Sequence, residues 1–132
     1  MVALLRIAGV VHLIILGANF AISGILDFKR ELAKVSPIMR QIFVVHHAYI
    51  MFILALFAAL CLGFPEDLAG ASPLGTFLCG FMALFWLARL PVQFFFYDDE
   101  VKRLHKLGHW AFSFAVVSIA AVLSVAAARG LR

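Results

Sequence analysis

Charged residues divide this chain into four long apolar runs. Ile7 to Leu26, Gln41 to Pro65 and Leu107 to Ala128 hold no Asp, Glu, Lys or Arg, and Leu68 to Tyr97 holds only Arg89. A bilayer-spanning helix needs about 20 mostly apolar residues. Each run therefore predicts one transmembrane helix, over roughly 3–25, 41–63, 74–97 and 104–128. The first run carries His12 and lacks a small-x-small cleavage pattern around Ala18 to Ala21, so it reads as a retained helix rather than a leader. The connections are short. They predict an all-α fold, a single transmembrane domain over residues 1–132, with the four helices in an up-down-up-down bundle and the second and fourth lying diagonally. Small residues predict the close-packed faces: Ala48, Ala55 and Ala59 on the second helix, and Ser113, Ala120, Ser124 and Ala127 on the fourth. Pro91 removes one backbone donor and predicts a kink in the third helix.

Composition agrees with this class. The chain is 65% hydrophobic and 14% charged, with a mean hydropathy of +1.07, whereas soluble domains are about 45–50% apolar and about 25% charged. Its net charge of +4 does not imply nucleic-acid binding, because the cations flank apolar runs. The connection 27–40 and the connection 98–106 together hold seven Lys and Arg, against Arg6, Arg129 and Arg132 on the opposite side. The positive-inside rule then puts both connections in the cytoplasm and both termini on the opposite side of the membrane. Cys61 and Cys79 lie inside apolar runs without a CxxC or metal spacing, so they read as buried free thiols.

The polar residues inside the runs are the candidates for chemistry, since an ionisable group in the membrane is costly and functional by default. Arg89 has Gln93 at i+4 and Trp86 at i−3, which gives the third helix a basic, polar face. His12, Asn19 and Ser23 share one face of the first helix. On the second helix His46 shares a face with Ile50, Ile53 and Phe57 and reads as lipid-facing, while His47 reads as inward. His105 and His109 open the fourth helix, with His105 interfacial. No acidic residue lies within any run, so Arg89 is expected to point into the bundle towards Asn19, His47 or His109.

Two imidazoles on facing helices with a nearby cation would suit a b-type haem. His47 and His109 are the expected axial ligands to the haem iron, Arg89 the propionate partner, and Gln93, His12 and Asn19 the other polar residues of the site. A quinone would use His and Arg as donors to its carbonyl oxygens, with Trp86 or Phe85 stacking. The plan resembles that of membrane cytochromes b, whose four-helix bundles hold haem between the second and fourth helices. The stretch LARLPVQFFFYDDE, with the helices around it, resembles a recurring stretch in small four-span bacterial membrane proteins of unassigned function. That resemblance implies an inner-membrane protein and no particular reaction. Two further readings stay open: a cofactor-free accessory or assembly subunit of a larger membrane complex, and a small homo-oligomeric carrier for an anion drawn to Arg89.

Overall fold

Helix α1 covers Val2–Ile25 and is followed by Asp27, whose left-handed backbone (φ 48°) turns the chain into a short helix α2, Phe28–Leu32. Ser36 then caps α3, Pro37–Gly63: its hydroxyl accepts the Met39 N–H at 3.4 Å, and Pro37 occupies the first turn, where no donor is missed. The second connection contains α4, Pro65–Ala69. Ser72 caps α5, Pro73–Pro91, by accepting from the Gly75 N–H at 3.0 Å. A π turn, Val92–Phe96, continues α5. Helices α6, Asp99–Leu104, and α7, Lys106–Gly130, complete the chain. This computed structural model describes residues 1–70, 72–97 and 99–132, and for residues 100–102 the backbone alone. Among the described residues there is no strand.

Four helical stretches, Val2–Ile25, Pro37–Gly63, Pro73–Phe96 and Lys106–Gly130, are long and apolar enough to cross a membrane. The sequence anticipates all four. The second begins at Pro37 rather than residue 41, because the Ser36 cap and Pro37 extend the helix through Arg40. The expected kink at Pro91 takes the form of the π turn. Proline leaves the carbonyl one turn back without its donor, and the wider turn begins at the next residue, Val92.

The helices pack in two tight pairs, α1 with α3 and α5 with α7, and α1 also touches α7. The first pair is antiparallel: Arg6 on α1 bonds Glu66 just beyond α3 at 3.0 Å, and the His12 and Phe57 rings meet at 5.7 Å. In the second pair a Cβ on Gly130 would run into Thr76, while Gln93 bonds His109 at the opposite end. One contiguous buried cluster, including Leu5, Leu54, Phe57, Met82, Trp86, Val116 and Leu123, joins the pairs. Exposed Leu, Ile and Phe cover the outside of all four long helices, as the lipid-facing surface of a membrane bundle requires.

One packing expectation is corrected. Ala48, Ala55 and Ala59 face outward, and α3 buries Met51, Leu54, Phe57, Ala58 and Cys61 instead. The close approach between α1 and α3 comes from the other partner. Gly9 on α1 is buried, and an added Cβ there would lie 2.7 Å from Leu62 and 3.1 Å from Cys61. Phe57, expected on a lipid face beside His46, therefore lies inside. On α7 the expected face is the packed one, with Ser113 and Ala120 buried and Ser124 and Ala127 partly so.

Candidate functional site

The polar residues expected to converge fall into separate groups. His12 lies at the centre of the bundle and is 0% exposed. Its Nδ1 is 2.7 Å from the Ala8 carbonyl oxygen, which accepts only, so Nδ1 carries the proton. Its Nε2 accepts from the Trp86 indole N–H at 2.9 Å. Both ring nitrogens are thus engaged, and the ring packs edge-on to Phe57 and Trp86. This histidine ties α1 to α5 and has no lone pair left for a ligand. Asn19 and Ser23 bond carbonyls of their own helix, Ile15 at 2.8 Å and Phe20 at 2.7 Å. Such back-bonding satisfies a polar side chain in an apolar medium without a partner helix.

His46 is exposed and places Nδ1 2.8 Å from the Ile42 carbonyl. His47 is half-buried on the inward stripe of α3, but at its level the neighbours are Phe43, stacked at 6.1 Å, and Phe28 of α2, edge-on at 5.7 Å. It lies ten residues after Pro37 and so about 15 Å along α3. His109 lies three residues after Lys106, on the other helix pair. Among the described residues no hydrogen bond or ring contact joins His47 to His109. The volume between the pairs is occupied by the buried cluster around Phe57, Trp86 and Val116. Each imidazole is instead engaged on its own helix pair, His47 against Phe43 and Phe28 and His109 against Gln93.

The remaining residues do assemble, along the seam where the π turn meets α7. Gln93 is 6% exposed and its side-chain amide nitrogen lies 2.8 Å from His109 Nδ1. The His109 ring is half-buried between Phe94 and Trp110, each at 5.7 Å. Ser113 donates its hydroxyl to the His109 carbonyl at 2.7 Å, which holds the first turn of α7. One turn along, Arg89 donates to the Tyr97 hydroxyl at 2.8 Å. Its guanidinium also sits over the Tyr97 and Phe112 rings, 5.2 and 5.6 Å from their centroids, where the ring faces offset part of the cost of a cation in the membrane.

Arg89 therefore turns to Tyr97 and Phe112 rather than to Asn19, His47 or His109. The π turn and the extended backbone at Tyr97 bring this phenol back over the helix end. Tyr97 is the residue that the sequence pattern missed. Eight residues beyond Arg89, it would lie about 12 Å along a regular helix. Asp98, the acid that follows Tyr97 in the chain, lies outside the described residues. Cys61 and Cys79 are free and buried, and Cys79 Sγ contacts the Leu68 carbonyl at 3.6 Å. Among the described residues no group of three or more His, Cys, Asp or Glu is placed to hold a metal ion.

The seam can donate. Arg89 has five N–H groups and no acceptor, and His109, with Nδ1 occupied, directs its other nitrogen away from Gln93. No Asp or Glu lies within the four spans. Comparison with protein-family models, with curated proteins and with solved structures gives no match.

Proposed function

We propose that this chain is a redox subunit of the bacterial inner membrane that binds the headgroup of a lipid-soluble quinone at the Arg89–Gln93–His109 seam. The hydrogen bond from Gln93 to His109 carries this reading. It occupies Nδ1 and leaves Nε2–H as a donor, on the histidine held by Gln93, which itself follows Arg89 by four residues. A quinone carbonyl oxygen accepts such bonds, its ring can lie against Phe94, Phe112 or Trp110, and its tail belongs in lipid. A second reading, the cofactor-free accessory subunit, draws on the outward stripe of Ala48, Phe52, Ala55 and Ala59, a face suited to another helix.

Trp110 adjoins His109, so quinone binding should quench its fluorescence. Titrating the detergent-purified protein with a short-tailed benzoquinone should give saturable quenching. His109→Ala and Arg89→Leu should each weaken binding tenfold or more, equivalent to about 1.4 kcal/mol or more. His105→Ala, at an exposed position, should bind as the wild type does. Equal quenching in all four proteins would mean that the quinone only partitions into the micelle, and would leave the accessory subunit as the better reading.

The proposal includes an orientation, with connections 27–40 and 98–106 cytoplasmic and both termini periplasmic. It draws on the Lys and Arg bias and on the Arg6–Glu66 pair, which puts the start of the chain and the second connection at one end of the bundle. Single cysteines at Lys34 and Glu66, in a background lacking Cys61 and Cys79, provide the check. An impermeant thiol reagent added to intact cells whose outer membrane has been opened should label position 66 and spare position 34. The reverse pattern would invert the orientation.

A further inference from the structure

We infer that Gln93 is a positioning residue that fixes His109 as the Nε2–H tautomer, and that it thereby makes the seam select oxidised quinone over quinol; the selectivity rests on the quinone reading above. The amide nitrogen of Gln93 can only donate, so the His109 Nδ1 that it meets at 2.8 Å accepts. A neutral imidazole then carries its proton on Nε2. Two other histidines show the opposite state. His12 and His46 each place Nδ1 against a carbonyl oxygen, of Ala8 and Ile42, and are Nδ1–H tautomers. His109 differs because Gln93 is buried and held in the π turn, while the Ser113 hydroxyl fixes the backbone below the ring.

The consequence for a ligand follows from counting donors and acceptors. Arg89 and a His109 Nε2–H present hydrogens only. A quinone oxygen needs only hydrogens. A quinol hydroxyl also needs an acceptor for its own proton; the four spans contain no carboxylate to supply one, and the acceptor at the seam, the Tyr97 hydroxyl oxygen, is already engaged by Arg89. A hydroxyl that is desolvated without an acceptor is disfavoured. If Gln93 is replaced by leucine, His109 is free to move its proton to Nδ1, and its bare Nε2 can accept from a quinol.

Nitrogen-15 NMR of the protein labelled at histidine, in nanodiscs and with His109→Ala to assign the signal, reads the tautomer directly. The wild type should show a protonated Nε2 and a bare Nδ1 at His109. Gln93→Leu should show a mixture of the two tautomers. Anaerobic competition between a short-tailed quinone and its quinol should favour the quinone at least tenfold in the wild type. In Gln93→Leu the preference should narrow to threefold or less, without loss of quinol affinity. An Nδ1–H tautomer in the wild type, or an unchanged tautomer in Gln93→Leu, overturns the role of Gln93. Equal affinities in the wild type, or an unchanged preference in Gln93→Leu, overturn the selectivity. If neither form binds, the quinone reading and the selectivity fall together, and the NMR result decides the tautomer by itself.

Discussion

His12→Ala should cost about 3–5 kcal/mol of stability, from a cavity at the centre of the bundle together with an indole N–H left without an acceptor. The His12 side chain is fully buried between Phe57 and Trp86, and its Nε2 is the acceptor for Trp86 Nε1 at 2.9 Å. Size and hydrogen bonding can be separated. His12→Leu keeps much of the volume and strands the indole N–H, for about 1–3 kcal/mol. Trp86→Phe strands the imidazole acceptor instead. The double variant His12→Leu, Trp86→Phe removes both polar partners and should lose less than the sum of the two single changes. Unfolding in mixed micelles, measured for wild type and the three variants, closes this cycle. Strict additivity would show that the bond contributes nothing and that His12 is held by packing alone.

The second large effect is expected at Gly75. A methyl group there would overlap the Asp67 backbone carbonyl and come within 2.9 Å of Ser72 Oγ, the atom that caps α5. A backbone carbonyl cannot rotate away as a flexible side chain can. Gly75→Ala must therefore push α4 off the start of α5 or break the cap, at an expected cost of about 2–4 kcal/mol from overpacking and cap loss. Gly17 is the control. It lies in α1, and an added Cβ would meet nothing within 4 Å. Gly17→Ala should stabilise the protein by up to about 1 kcal/mol through helix propensity. Melting temperatures in detergent should move in opposite directions for the two variants. A Gly75→Ala protein as stable as the wild type would mean that α4 is not seated against α5.

The spans were legible because hydropathy over 20 residues is a strong signal and charges bound it sharply. Features set by one hydrogen bond were less so. The start of α3 depends on the Ser36 hydroxyl, which a charge boundary at Arg40 conceals. The shared face of His12, Asn19 and Ser23 is present in the sequence, but spacing cannot tell a site from three side chains bonded to their own helix. Similarly, Ala48, Ala55 and Ala59 form a small-residue face, but close contact needs only one small partner, and Gly9 on α1 supplies it. The pairing of Arg89 with Tyr97 passes through the π turn, where helical arithmetic no longer applies. Gln93 and His109, by contrast, were visible as candidates from residue type and position, although their direct contact was not.

The division into two helix pairs acquires a further meaning when the protein is considered as it is made. A ribosome releases α1 and α3 before α5 exists, and these two helices can pair at once through Gly9 and the ring of Phe57. The Nδ1–H of His12 is satisfied from the start, four residues away. Its Nε2 must wait for an indole 74 residues downstream. Until the third span arrives, the newly inserted hairpin carries one unsatisfied nitrogen at its middle, a chemical mark of incompleteness that arrival of the third span erases.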